Sequence, residues 1–308
     1  MTARHASRLG ALLVDDAFDG EVLLGEPMSR HTTYRIGGPA RFFVVANSLG
    51  ALSHLVEACE DANVPWTVVG RGSNLLVADE GFDGAIVMLG RDFRACRYDD
   101  ERGVFSVGAG ALLSTVVQEA FHRSLAGLEF AVGTPGTVGG AVRQNAGSRT
   151  EWLSGALSSV TLLTRADGLV RVPAGSIEWG YRSTSISPDD IVVECELSAA
   201  PADPFYVRGK MEASLSRRRD TQPLSEPSCG SVFKSPEGAS AGKLIEDAGL
   251  KGARVGGARV SEKHANFIVN AGGATASDVR ALMRQIQTKV YEDYGVELEP
   301  EVRLLGFE

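Results

Sequence analysis

"GTPGTVGGAVRQNAG", residues 133–147, holds five glycines in fifteen residues, and Arg143 is its single charged side chain. Successive glycine-permitted turns can aim several backbone N–H groups into one anion-binding concavity. Thr134 and Thr137 add hydroxyls, so a ligand could lie here against bare backbone. The competing reading is that the glycines serve only tight turns and close packing. Two further stretches bear on the choice, "GRGSNLL" (70–76) and "VGAGALL" (107–113), each just past or between strand-like runs. A Rossmann dinucleotide turn needs G-x-G-x-x-G, and Leu75 and Leu113 stand where the third glycine belongs. One such loop would favour packing; three in one apparent domain shift the weight towards a ligand.

Working outward, the apolar period alternates between two and 3.6 residues, with glycine turns where it changes. "RFFVVANS" (41–48) reads as a strand, "LGALSHLVEACEDAN" (49–63) as an amphipathic helix and "PWTVVG" (65–70) as a buried strand, together a β-α-β unit. "GVFSVGAG" (103–110) and "ALLSTVVQEAFHRSL" (111–125) repeat strand then helix, and "LSSVTLLTRADGLVRV" (157–172) reads as a hairpin turning at Asp167-Gly168. "AAPADP" (199–204) breaks the pattern ahead of a helix, "FYVRGKMEASLSRRRD". The clearest helix runs from about Thr275 to Tyr294, with Val279, Leu282, Met283, Ile286 and Val290 on one face, Thr275 as N-cap and Gly295 beyond its end. "ELEPEVRLLG" (297–306) reads as strand-like, which would turn Glu301 and Arg303 to one face.

The chain has 308 residues, and 31 lysines and arginines stand against 39 acidic residues, a net charge of −8 that argues against broad nucleic-acid binding. Cys59, Cys96, Cys195 and Cys229 are scattered with no CxxC pair, which points to reduced thiols and a cytoplasmic location. The apolar run "LGALLV" stops at Asp15-Asp16, too short for a signal peptide, and no run approaches membrane-spanning length. His5, His31, His54, His122 and His264 form no metal-ligand pattern. "GASAGKL" (238–244) fails as a phosphate-binding Walker loop, having three residues between its glycines and Leu244 after the lysine.

"PSCGSVFKSP" (227–236) isolates Ser231. A hydrolase elbow needs G-x-S-x-G, but Gly230 directly precedes the serine and Phe233 takes the second glycine's place. A serine can instead give a proton to a carbanion, given positioning and a charged neighbourhood. Arg182 in "WGYRSTS" and Glu301 with Arg303 are candidate neighbours, each with the alternative of an ordinary surface charge.

"HTTYRIGGPA", "GRGSNLLVAD", "PGTVGGAVRQNAG", "GYRSTS", "PSCGSVFKSP", "AGKLIEDAGLKG", "VSEKHANFIVN" and "EPEVRLLG" follow in that order over almost the whole chain. As an ordered set they resemble the UDP-N-acetylenolpyruvoylglucosamine reductase (MurB) family, in its shorter form. The resemblance implies an α+β protein. Residues 1–202 would be an FAD-binding region of the p-cresol methylhydroxylase type, with two subdomains split near residue 91. Residues 203–308 would be a C-terminal α/β substrate-binding domain. It implies non-covalent FAD, NADPH as hydride donor and a nucleotide-sugar substrate, with no metal and no membrane or nucleic-acid partner.

Carried over residue by residue, the catalytic set is Ser231, Arg182 and Glu301. The cofactor would meet Tyr34, then Gly70, Arg71, Gly72, Ser73, Asn74 and Leu75. It would also meet Gly133, Thr134, Pro135, Gly136, Thr137, Gly139 and Gly140, followed by Asn145, Ala146, Gly147 and Arg303. Tyr181, Lys234 and Ser235 would meet the substrate. Ser148-Arg149 and Ser235 depart from the family's usual "NAGAYG" and "FKNP". Lys234 and the run Arg217-Arg218-Arg219 are the nearest groups for a UDP diphosphate, although a solvated helix end explains the arginine run equally well. A flavin alcohol oxidase of the same fold would share the glycine loops but lack the Ser231, Arg182 and Glu301 set. A non-catalytic nucleotide-sugar binder would carry no yellow cofactor.

Overall fold

Strands and helices form where the two apolar periods change over. The structure, a computed structural model, describes residues 18–148 and 150–307. The run "LGALLV", His5 and Arg149 lie outside the described residues. The chain divides into two units. The first takes the residues up to Leu23 together with Phe43–Gly70 and Ala85–Ser216. The second takes Leu24–Phe42, Arg71–Gly84 and Arg217 onward. Among the described residues no helix is long and apolar enough to cross a membrane.

β2 (Pro39–Ala46), α1 (Leu49–Asp61) and β3 (Trp66–Val68) fall where the sequence places them. Ser48 caps α1 by accepting from the Ala51 N–H, and Leu52, Leu55 and Cys59 on its inner face are fully buried. The sheet order is β1 (Gly20–Pro27), β2, β5 (Phe82–Leu89), β3. Strand, helix and strand thus follow in the expected order within one sheet, with β5 standing between the two strands and pairing in parallel with β3. The consecutive buried residues Ala85, Ile86 and Val87 explain this, because a strand apolar on both faces belongs in the interior of a sheet.

A second, antiparallel sheet runs β10 (Gly168–Pro173), β9 (Leu157–Thr164), β13 (Ile191–Ser198), β7 (Val104–Gly108), β6 (Cys96–Asp99). The β9–β10 hairpin forms as read, with Thr164 opposite Gly168 and Gly168 at φ +68°. Glu196 on β13 is buried at 7% exposure. It accepts two bonds of 3.0 Å from the Arg102 guanidinium, a third from Arg171 and a 3.3 Å bond from the Ser159 hydroxyl. These donors hold the Glu196 carboxyl below its ordinary range, Arg102 contributing most. α2 (Leu113–His122) follows β7, and short pairs join β8 (Leu125–Ala126) to β14 (Ala200–Pro201) and β11 (Trp179–Gly180) to β12 (Ser183–Thr184). α3 (Val138–Arg143) grows out of the third glycine stretch, and α4 (Pro204–Thr221) follows the break at 199–204.

The second unit packs α5 (Ala241–Asp247) and α6 (Ala276–Tyr294) with the sheet β15 (Arg254–Val255), β16 (Ala258–Val260), β17 (Ile268–Asn270). α6 realises its sequence signals. Thr275 and Asp278 exchange capping bonds, Gly295 ends the helix at φ +67°, and the five-residue stripe is buried in the core. A parallel pair, β4 (Leu75–Val77) with β18 (Arg303–Leu305), brings residues 71–84 into this unit. Asp79 fastens them further, its two carboxylate oxygens accepting from the Ala276 and Ser277 N–H groups at 2.7 and 2.8 Å. Those N–H groups lack partners inside the helix. We expect Asp79→Ala to cost about 1–2 kcal/mol by urea denaturation, with Asp79→Asn recovering part of the loss. An unmoved midpoint in the alanine variant would make the contact energetically silent.

Candidate active site

The second and third glycine stretches, with Gly70 of the first, come together in the first unit. Thr137 pairs with Leu112, the Leu113 N–H donates to Gly136 O at 3.1 Å, and the Gly139 N–H donates to Ala109 O at 2.9 Å. A Cβ on Gly70 would lie 2.4 Å from the Thr137 hydroxyl, so the first stretch touches the third as well. Gly133 and Gly136 adopt φ of +69° and +124°, where a side chain would be strained. Gly139 serves packing, since a Cβ there would come within 2.8 Å of the Ala109 Cβ. A Cβ on Gly140 would have only the Thr137 hydroxyl near it, at 3.5 Å, so the surface is bare on that side. A cradle of backbone bare at Gly140 and free of acidic side chains fits a diphosphate cofactor.

Arg143 does not serve as the cradle's cation. Its guanidinium donates to the backbone carbonyls of Ile186, Ser187 and Asp190, tying the third stretch to the segment ahead of β13. Asn145, buried and at φ +40°, donates to Gly180 O at 3.1 Å and accepts from the Ser154 N–H at 3.1 Å. It thereby anchors the β11–β12 hairpin, whose two-residue tip is Tyr181-Arg182. Arg182 holds φ +56°, and its guanidinium carbon lies 5.5 Å from the Trp152 ring centre and 5.2 Å from that of Tyr181. Trp152 and Tyr181 meet edge to face at 5.8 Å. A left-handed arginine stacked on two aromatics has little rotational freedom, which suits a fixed positive charge. Trp152 gave no signal in the sequence; only its pairing with Gly147 brings it here. Ser148, where the chain departs from the family pattern, accepts from the Thr150 and Glu151 N–H groups and closes that turn.

The second unit holds Ser231 and Glu301 in one register. The Glu301 and Val302 N–H groups both donate to Val232 O, at 2.8 and 3.3 Å, and Phe233 bridges Pro300. The Lys234 N–H donates to Glu299 O at 2.8 Å. The expected strand through Glu301 is therefore corrected: β18 begins only at Arg303, after a bend at Val302. Pro300 has no N–H for a ladder, and the next two N–H groups are spent on Val232. The same-face argument for residues 301 and 303 fails with the strand.

Asn74 brackets the bend, donating from its amide to Glu301 O at 3.0 Å while its carbonyl accepts from the Arg303 N–H at 3.1 Å. Gly72, at φ +58°, presents Cα to His31 O, where a Cβ would come within 2.3 Å. Tyr34, expected at the cofactor, has no exposed surface and lies in the core against Cys229. Burial pushes the Cys229 thiol up to about 12, which keeps it protonated and inert. Lys234 pairs with Glu299 at 2.6 Å, and the Ser235 hydroxyl accepts from the Ala241 N–H at the start of α5. All four cysteines are free, and no cluster among the described residues could hold a metal ion.

Two family models match the chain: an FAD binding domain over residues 40–172, and the C-terminal domain of UDP-N-acetylenolpyruvoylglucosamine reductase over residues 222–305. A UDP-N-acetylenolpyruvoylglucosamine reductase from Heliobacterium modesticaldum is 43% identical over 94% of this chain and 92% of its own length. The chain belongs to the UDP-N-acetylenolpyruvoylglucosamine reductase family. A second reductase, from Anaeromyxobacter sp., is 44% identical over 93% of this chain and 89% of its own. The crystal structure of the Thermus caldophilus reductase, MurB, superposes with a TM-score of 0.79 at 36% identity, covering 93% of this chain and 98% of that one. In this chain an FAD-binding domain precedes the family's own C-terminal domain, and the expected α+β class stands.

Proposed function

We propose that this chain reduces UDP-N-acetylglucosamine enolpyruvate to UDP-N-acetylmuramate, a peptidoglycan precursor, with FAD as cofactor and NADPH as hydride donor. Bound FAD supplies the hydride that reaches the terminal carbon of the enolpyruvyl group. Residues 1–202 form the FAD-binding region, with subdomains divided near residue 91, and 203–308 the substrate-binding domain. The cradle residues 133–137, 140 and 145–147, with 70–75 and Arg303, hold the cofactor through backbone and short polar groups. Gly139 supports them by packing.

Reduction leaves negative charge on the carbon beside the substrate carboxylate, spread over that carboxylate as an enediolate. The stacked guanidinium of Arg182 offsets it. Ser231 delivers a proton to the carbon, and Glu301 stabilises the intermediate through a hydrogen-bonded proton. Tyr181, Lys234 and Ser235 meet the nucleotide sugar. With a net charge of −8, the diphosphate must be gripped by local cations of this kind and not by an overall field. The place of work is the cytoplasm.

The observation that carries this reading is the double donation from Glu301 and Val302 to Val232 O, which locks the Ser231 and Glu301 segments together. The purified protein should be yellow and should release its flavin on acid or heat treatment, as a non-covalent cofactor does. NADPH added without oxygen should bleach it, and the enolpyruvyl nucleotide sugar should restore the colour. A colourless protein, flavin that stays with the precipitate, or a bleached enzyme that the substrate leaves bleached would each count against the proposal.

A further inference from the structure

Residues 232–234 run between two supports. On one side stands the segment 299–302 already described. On the other stands Asn266, which no motif argument singles out. It is buried, at 4% exposure, and its side-chain amide meets both polar groups of the Phe233 backbone. Its Oδ1 accepts from the Phe233 N–H at 3.0 Å, and its Nδ2 donates to Phe233 O at 2.8 Å. The backbone carbonyl of Asn266 accepts from the Val232 N–H at 2.9 Å. A carboxamide presents a donor and an acceptor side by side, as a peptide group does, so Asn266 stands in for a missing neighbouring strand. Its own N–H donates to His264 Nδ1 at 3.2 Å, which fixes its turn.

We propose that Asn266 is a positioning residue for Ser231. Gly230, at φ +82°, makes the turn before Ser231, after a segment held by the buried Cys229 and by the bridge from Ser228 to Val269. The chain after Ser231 fixes the other end of that turn, and Asn266 holds it two residues away from inside the core. Glu301 is referred to the same peptides through Val232 O, so a slip at Phe233 would move the serine against the glutamate. Asn266 itself is too deeply buried to touch substrate or cofactor. The assignment rests on Ser231 being the proton donor.

A double-variant cycle on the complete flavoprotein tests it. NADPH reduction of the flavin and its reoxidation by the enolpyruvyl substrate are timed separately in wild type, Asn266→Ala, Ser231→Ala and the double variant. Asn266→Ala should leave flavin reduction within about twofold and slow reoxidation by roughly tenfold or more, the penalty for a displaced reacting group. The double variant should be no slower than Ser231→Ala alone, because a residue that acts through Ser231 has nothing left to act on. Asn266→Asp, which keeps the shape and the acceptor but loses the donor to Phe233 O, repeats the cycle if the alanine variant does not fold.

Additive losses, equal slowing of both half-reactions, or unchanged reoxidation beside a slow Ser231→Ala would overturn the assignment. So would failure of both Asn266 variants to fold, which would make the residue a core element only. If Ser231→Ala itself reoxidises normally, it is the proton-donor reading that falls, and the positioning role with it.

Discussion

Ser231→Ala takes up hydride from NADPH at a near-normal rate and then stalls when the enolpyruvyl substrate is added. Flavin reduction needs no proton at the substrate carbon, so the missing hydroxyl is not felt there. The second half-reaction leaves a carbanion that must be protonated, and losing a positioned acid costs about 10² to 10⁴ in rate. Ser231 is half-buried and held by its neighbours, and alanine fills the same backbone, so stability should hardly change. Replacement by cysteine should recover part of the loss, because a thiol also donates. A serine that merely satisfied local backbone would give the opposite pattern, lower stability with both half-reactions intact. Stopped-flow absorbance of the flavin separates the two outcomes.

The other large effect lies in the fold. Glu196→Ala should lower unfolding stability by about 2–3 kcal/mol, since it removes a buried carboxylate that two arginines and a serine hydroxyl all use. The figure stays below the usual cost of breaking a buried pair because Arg102 and Arg171 keep side-chain exposures of 52% and 57% and can turn to water. The carboxyl's folded value lies below its unfolded one. Its contribution is therefore fully present above the unfolded value near pH 4.3 and fades as pH falls through the lowered folded value. Urea midpoints measured from pH 6 down to 3 should thus converge for wild type and Glu196→Gln at the acid end. Parallel curves would show that the carboxylate's charge contributes nothing.

Some of this architecture could be read without coordinates because its causes are local. α6 announces itself through Thr275, the apolar stripe and Gly295, all within one turn of where they act. The three glycine stretches were legible as a group, and the meeting of Gly70 and the second stretch with the third around Thr137 is what a shared ligand surface requires. Other features have non-local causes. The bend at Val302 depends on a carbonyl at Val232, and nothing in "EPEVRLLG" reports it. β5 separates β2 from β3 although it follows both in sequence, a matter of which strand is apolar on two faces. Arg143 reads only as the single charge of its stretch, yet its guanidinium donates to carbonyls more than forty residues away. Asn266 stood within "VSEKHANFIVN" without a role for the same reason, since a carboxamide that imitates a strand looks like any other asparagine until its partner peptide is known.

The pairing of β4 with β18 bears on how the protein is made. Asn74 and Glu301, which meet beside that pair, lie 227 positions apart. A ribosome adding about 5–20 residues per second needs on the order of ten to fifty seconds to cover that stretch. Throughout that interval Leu75, Leu76 and Val77, all buried in the finished protein, have no partner strand and wait as a short sticky edge. The first unit's antiparallel sheet, closed by residue 198, can form behind the moving ribosome, whereas the second must wait for late residues. Nascent chains halted before residue 303 should accordingly be held by chaperones and cut readily between residues 71 and 84, and release of the longer chain should protect that segment.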